Sequence, residues 1–498
     1  MNVNPITRLD YPDPDVIRVE DTYYMVSTTM HFMPGCEILQ SFDLVHWEHV
    51  TYVYETLDHT DAQQLKSGQN IYGQGMWAAS LRYYEGRFCI CFVANDTRKT
   101  YLYTSEKIDG PWKKQLIEGF YHDGSLLFDE DGRNYIVYGN DEIWITELNE
   151  DLTAPKKDGL HRLLVSDHKN PELGYEGSHI QKINGYYYIF LVHSLRDRWM
   201  RTEACFYSDS LEGEFTGGDV LCDDRGYCGQ GVAQGGIVDT PDGKWYAMLF
   251  QDSGAVGRIP ILLPVTWKDH FPFFGQNGHV PEEIEVHSTR PGYIYQPLVG
   301  SDDFCNGLLP RWQFNHDPDP RYYHLDALQG TYTITTREVC TELTQAVNTL
   351  TQRMSYPSCA AEVTVDASAL KEGDVAGLCA LQGCYAAVGI TKHHGKYEVL
   401  MLDKKEDGIL DMTEGTVVES HQMDFRLEAD FCNMKDEARC YYRVNKGDWL
   451  PIGTVHKLYF KLDHFTGCRF GLFCYAAEET GGSACFRDFK YYDVDEIS

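Results

Sequence analysis

The chain has 498 residues and a formal net charge of −32. That length exceeds what one hydrophobic core usually organises, so two domains are expected. The acidic balance argues against a nucleic-acid partner, because such binding rests on Lys and Arg neutralising phosphates, and no apolar run is long enough to span a bilayer. With 34 Tyr, 23 Phe and 9 Trp but few long amphipathic stretches, the composition points to an all-β protein.

At the start of the chain, Asp13 follows Met1 too closely for the basic, apolar and cleavage segments of a secretory signal, and a cytoplasmic location is expected. The 16 cysteines are scattered through strand-like runs (Cys89, Cys91, Cys379, Cys384, Cys474) without a Cys-x-x-Cys pair. They read as buried, reduced thiols.

Five hairpin signals then follow: Asp21-Thr22, Glu85-Gly86, Asp131-Gly132, Asn184-Gly185 and Asp242-Gly243, each trailed by an aromatic of the returning strand (Tyr24, Phe88, Tyr135, Tyr187, Trp245). Runs such as Tyr23 to Ser27, Phe88 to Val93 and Tyr186 to Val192 read as the strands themselves. Recurrence at roughly 50 residues predicts four-stranded blades, and therefore a five-bladed β-propeller. Eight positions before each turn stand Asp13, Trp77, Asp123, Glu176 and Gln234. Since the innermost strand of each blade lines the central channel, these five residues are expected to meet there. Singly they would be unremarkable: Asp13 between two prolines, Asp123 and Glu176 beside glycines, and Trp77 in a core. A shared offset from five turns is what sets them apart.

The blade pattern stops in the turn-rich segment Pro281 to Pro297, which predicts a propeller over 1–297 and a β-sandwich over 298–498. Strands are expected at Cys359 to Val365, Val375 to Leu381, Ala386 to Ile390, Tyr397 to Leu402, Arg426 to Phe431, Lys457 to Lys461 and Arg469 to Tyr475, with Gly482 to Phe489 as a final edge segment. The pair His393-His394 falls in a hairpin turn and reads as surface.

Crowded carboxylates repel one another and lose hydration, so one of them should hold a proton near neutrality. A protonated carboxyl opposite an ionised one is the equipment of glycoside hydrolysis, and an indole offers a flat face for sugar C–H groups.

At these residues the chain resembles glycoside hydrolase family 43. The resemblance is carried by Tyr11-Pro12-Asp13-Pro14-Asp15, Met76-Trp77-Ala78-Ala79, Asp123-Gly124-Ser125-Leu126, Tyr175-Glu176-Gly177-Ser178 and Gly257-Arg258-Ile259-Pro260. The later domain is similar to the concanavalin-like C-terminal sandwich of β-xylosidase and α-L-arabinofuranosidase members. By this resemblance Asp13 is the general base, Glu176 the general acid and Asp123 the carboxylate that orients the acid, in an inverting mechanism. Arg258, Trp77, Phe32 and Gln234 would bind the sugar, Phe32 as an aromatic wall. Gln234 departs from the histidine that many members carry there. No cofactor is required, although a central or structural Ca2+ is compatible with the amide oxygen. The resemblance implies an exo-acting enzyme that takes a terminal pentose from a small oligosaccharide, with a loop of the second domain closing one side of the pocket. An endo-acting or debranching enzyme, and a carbohydrate-binding propeller without chemistry, are the alternatives.

Overall fold

The computed structural model describes residues 3–493. Five four-stranded antiparallel sheets follow one another in simple meander order: blade 1 within residues 15–54, blade 2 within 76–117, blade 3 within 125–166, blade 4 within 176–221 and blade 5 within 233–274. Their innermost strands are Asp15–Val19, Met76–Tyr84, Ser125–Phe128, Glu176–Ile183 and Ala233–Asp239. Each touches the innermost strands of its two neighbours, blade 1 meeting blade 5, so the ring is closed. The closure is reinforced by the N-terminal segment, where Ile6 N–H donates to Pro260 O (2.8 Å) and Tyr11 N–H to Arg258 O (3.0 Å).

Two-residue turns close three of the inner hairpins, at Glu20-Asp21, Glu85-Gly86 and Asn184-Gly185. The last two have both residues at positive φ, as the twist of a tight hairpin requires. The first lies one residue earlier than expected, because Thr22 already pairs with Val19. The loops at 129–133 and 240–244 are longer, so a count of eight residues does not measure one fixed backbone distance. What the blades share is a left-handed residue where the inner strand begins: Asp13 (φ 52°), Ala78 (27°), Asp123 (47°), Gly177 (66°) and Gln234 (61°). In blades 2 and 4, Trp77 and Glu176 immediately precede it. Bulges follow in blades 2, 4 and 5, and such bends re-aim the strand ends toward the channel.

Behind these ends the channel is plugged. Arg82 of blade 2 donates to Asp15 of blade 1 (2.8 Å), to Leu126 O and Ser125 Oγ of blade 3 (2.9 and 2.7 Å) and to Ile180 O of blade 4 (3.1 Å). His179 of blade 4 lies 3.1 Å from the other Asp15 oxygen. Burial pushes the Asp15 carboxyl up, but Arg82, His179 and the Leu81 amide together hold it below the usual carboxylate range.

The sandwich packs a nine-stranded sheet on a seven-stranded one, with Phe425, Val388, Met401 and Leu472 in a core that runs on into Ala255, Val256 and Ile259 of blade 5. Two expectations fail here. Residues 458–461 carry no strand, since the strand before them, Leu450–Lys457, ends where the chain leaves the sheet for the propeller. The closing strand, Ser483–Asp493, is no edge: it lies between Thr331–Thr335 and Ser358–Asp366. His393 and His394 are exposed in their turn, as expected. All sixteen cysteines are free thiols, ten of them buried, and among the described residues no helix is long and apolar enough to cross a membrane.

The two domains share a seam. The two-residue strand Phe32–Met33, looped out of blade 1, pairs with Phe314 and Asn315 and so forms the outer edge of the nine-stranded sheet. Arg353 of the sandwich donates to Glu37 (2.8 Å), to Asp10 O (2.9 Å) and to the Tyr11 hydroxyl (3.3 Å).

Candidate active site

A cavity of about 650 Å³ opens over the channel plug and is lined by Asp13, Trp77, Asp123, Glu176, Gln234 and Arg258. Six of the seven residues singled out in the sequence therefore come together. A larger hollow on the flank, about 870 Å³ between residues 43–46 and 281–288, holds none of them.

Asp13 is fixed by both oxygens. Thr28 Oγ1 donates to one (2.6 Å) and Arg258 Nη1 to the other (3.1 Å). Thr28 also accepts from the Ala78 amide (2.8 Å), which ties the carboxylate to blade 2. Arg258 is 3% exposed, yet its Nε and Nη2 have no hydrogen-bond partner among the described residues. A guanidinium with one donor committed and its other nitrogens bare is poised for hydroxyl groups. Its plane is backed by Phe465, 4.4 Å from the ring centre.

Across the cavity, Glu176 accepts from Asn140 Nδ2 (2.7 Å) and lies 3.5 Å from His122 Nε2. Asp123 accepts from the Gly177 amide (3.1 Å) and lies 3.6 Å from the same His122 nitrogen. Burial, helped by Glu176 and Asp13, pushes the Asp123 carboxyl up to about 6 against the pull of His122. Asp123, seconded by Glu176, raises His122 to about 9 despite its burial. His122 and Asp123 hold their protons as a pair. The raised carboxyl anticipated from crowding is thus present, on Asp123.

Asp13 stands on blade 1 and Glu176 on blade 4, which are not neighbours in a ring of five, so the two carboxylates face each other across the opening. Gln234 donates its backbone N–H to the buried Glu203 carboxylate (2.7 Å), and its side chain packs so closely on Gly177 that a Cβ there would lie 2.7 Å from Gln234 Cγ. Glycine at 177 is required twice, by φ and by this contact.

Phe32 is the exception. It is fully buried in the interdomain strand with the Arg469 guanidinium 3.5 Å from its ring centre, and does not line the cavity. The aromatic wall comes instead from the sandwich: Phe460 and Phe465, on the loop after the strand ending at Lys457. That loop is moored by Asp10, whose two oxygens accept from the Gly467 and Arg258 amides (2.8 and 2.7 Å). His122, Asn140 and Arg201 were not identified from sequence, and the resemblance implied a closing loop of the second domain without placing it at Phe460 and Phe465. His122 immediately precedes the motif Asp123-Gly124-Ser125-Leu126, whereas the loop carries no periodic signal.

His122, Asp123 and Glu176 bring ligand atoms within 4.8 Å of one another, but one nitrogen and two carboxylates fall short of the six to eight oxygens that Ca2+ takes. Deeper in the channel, Arg82 already supplies a positive charge to Asp15. Among the described residues, the protein's donors by themselves do not make up a full Ca2+ shell.

Residues 3–272 match Glycosyl hydrolases family 43, and residues 301–492 the Beta xylosidase C-terminal Concanavalin A-like domain. A beta-xylosidase of Formosa agariphila is 26% identical over 99% of this chain and 89% of its own length. A xylosidase/arabinosidase of Butyrivibrio fibrisolvens is 23% identical over 99% of both chains. Among solved structures, a bifunctional GH43-CE protein of Bacteroides eggerthii is 42% identical with a TM-score of 0.92, over 99% of this chain, which spans 64% of that protein. A GH43 glycoside hydrolase whose engineered active site displays both endo-xylanase and exo-arabinofuranosidase activity is 27% identical over 99% of both chains, with a TM-score of 0.86.

Proposed function

We infer that this chain, which belongs to glycoside hydrolase family 43, is an exo-acting, inverting hydrolase that releases a terminal pentose, β-D-xylose or α-L-arabinofuranose, from short hemicellulose-derived oligosaccharides. The observation that carries the exo reading is the loop from the second domain: Phe460 and Phe465 wall off one side of the cavity beside Arg258, which suits one terminal sugar better than a polymer passing through.

In this reading the Asp13 carboxylate, oriented by Thr28 and Arg258, takes a proton from water as that water attacks the anomeric carbon. Glu176, held by Asn140, gives its proton to the departing oxygen from the opposite blade. Asp123 and His122 set the charge around the acid. Arg258 offers its uncommitted nitrogens to the sugar hydroxyls, and Trp77 its face. Inversion calls for room for a water between base and sugar, with carboxyls about 6.5–9.5 Å apart. No metal is needed for these steps. The thiol-rich interior suits a reducing compartment, and a cytoplasmic enzyme would meet xylan only as imported fragments.

Initial rates on aryl β-D-xyloside and aryl α-L-arabinofuranoside, with Asp13→Ala as blank, test the reading. Turnover of either that the blank lacks, with the released sugar first appearing in the inverted configuration by NMR, is expected. Silence on both, with cleavage of internal bonds in linear arabinan, would replace it with an endo-acting enzyme.

A further inference from the structure

Arg258 stands at the foot of a turn whose apex lies in the other domain. Blade 5 supplies the strands Trp245–Asp252 and Arg258–Lys268 on either side of that turn, residues 253–257. Ser253 N–H donates to Gly257 O (2.9 Å) and Gly257 N–H to Gly254 O (3.0 Å), which closes the loop tightly. Ala255 and Val256, at the apex, are fully buried in the sandwich core. The Ala255 carbonyl accepts from Gln382 Nε2 (2.9 Å) and from the Cys468 amide (2.8 Å), and the Ala255 amide donates to Asp436 Oδ1 (3.1 Å). Both backbone groups of the apex residue are therefore held by the sandwich.

Asp436 immediately precedes the sandwich strand Glu437–Arg443 and has left-handed backbone (φ 48°). It is 6% exposed, and burial pushes its carboxyl up to about 6 while the Ala255 amide pulls the other way. Burying such a group is costly, so its place against the turn calls for a reason. The contact is close on a second edge as well: a Cβ at Gly254, where φ is 72°, would lie 2.6 Å from Asp436 Oδ2. At the foot of the turn Asp10, also from outside blade 5, accepts from the Arg258 amide (2.7 Å). Ala255 and Arg258 are three residues apart, so a displaced apex moves the backbone that carries the guanidinium. That planar fork has to meet Asp13 and the sugar hydroxyls together, and a misplacement of about 1 Å can cost about a hundredfold in rate.

We propose that Asp436 of the sandwich is a positioning residue that holds Arg258 in register with the pentose, so that the second domain sets sugar affinity through the blade 5 turn and not only through the wall of Phe460 and Phe465. This rests on the pentosidase reading, in which Arg258 binds the sugar hydroxyls. If Asp436 merely satisfied a buried amide, its loss would lower stability and leave KM alone.

The test follows kcat and KM of the full chain on aryl β-D-xyloside or aryl α-L-arabinofuranoside, whichever the parent turns over faster, with urea unfolding of each variant alongside. Asp436→Ala should raise KM about tenfold with a smaller change in kcat. Asp436→Asn keeps an oxygen that can accept from Ala255 and should restore KM to within about twofold of the parent. Gly254→Ala leaves Asp436 in place but forces the turn away from it, so KM should rise in the same way, and this variant stands in should Asp436→Ala not fold. In an Arg258→Lys background, where the ammonium adjusts on a flexible stem, Asp436→Ala should cost less than about twofold in kcat/KM. An unchanged KM in folded Asp436→Ala or Gly254→Ala, or the full tenfold cost in the Arg258→Lys background, would overturn the positioning role. Parent silence on both aryl glycosides would overturn the pentosidase reading, and the positioning role with it.

Discussion

Arg258 and His122 divide the electrostatic work of the pocket between its two flanks. Arg258 is committed to Asp13, and its bare nitrogens make it a hydroxyl reader as well as an anchor. His122 lies within ion-pair distance of two carboxylates at once, and its charge favours the ionised form of Asp123. The acid works only beside a protonated neighbourhood, so activity falls as pH rises through the titration of the adjoining Asp123 and His122 pair. His122→Asn removes a cation that lowers the Asp123 pKa, so the alkaline limb of kcat/KM should move up by about one pH unit. A limb that stays in place would detach His122 from the acid's environment.

At the level of strands, function is written in the first residue or two of each inner strand. Left-handed backbone at Asp13, Ala78, Asp123, Gly177 and Gln234 turns these ends inward, and the position most exposed to a single methyl group is Gly177. Gly177→Ala places a Cβ 2.7 Å from Gln234 Cγ at a φ that disfavours a side chain. A loss of about 1–3 kcal/mol in stability is expected, with activity reduced further because Glu176 is the preceding residue. Urea unfolding alongside kcat measures both, and a variant as stable and active as the parent would contradict the strain argument. This element scale is also where the sequence was most and least legible. Alternating aromatic strands and polar-Gly turns are local, so the five blades and the five residues Asp13, Trp77, Asp123, Glu176 and Gln234 could be read directly, while Arg258 came from the family resemblance. Phe32 could not, because pairing with Phe314 and Asn315, far away in the chain, decides which way it faces. The stretch after Lys457 looked like a strand by composition and became the pocket wall, since its contacts are with Arg258 and Trp77 of the other domain.

Across the whole molecule, the seam makes the second domain part of the active site's support. Ending the chain after Gly300 would leave Glu37 buried without Arg353 and uncover Phe32, in addition to removing Phe460 and Phe465. Loss of a buried partner costs about 3–5 kcal/mol, so the isolated propeller should be recovered largely unfolded, and a soluble, fully active fragment would refute this. The seam also holds His31, His316 and His464 in close ring contact, with centroids 4.8 and 5.0 Å from His31. Burial, then the neighbouring imidazoles and Arg469, holds His31 well below its ordinary value. Burial and Arg469 bring His464 to about 3. For such groups the unfolded chain takes up protons first, so their stabilisation is complete above about 6.5 and is lost as pH falls toward 3, by about 1.4 kcal/mol per pH unit per histidine. Asp123, Asp317, Asp374 and Asp436, each raised to about 6, act in the opposite sense between about 4 and 6. The clean comparison is therefore between parent and His31→Gln, whose stability relative to the parent should improve from pH 7 to pH 5. A pH-independent difference would mean that His31 does not carry this linkage.

The strand Phe32–Met33 bears on how the protein is made. Its neighbour Pro34 accepts a hydrogen bond from Gln313, 279 residues further along the chain. At ribosomal speeds of about 5–20 residues per second, the first blade waits on the order of half a minute for the sheet it is to complete. Throughout that interval an unpaired edge and a fully apolar ring face the solvent, in the situation where nascent chains associate wrongly. Slow synthesis, or a sandwich transplanted from a relative without its matching loop from blade 1, should for the same reason yield aggregate before it yields enzyme.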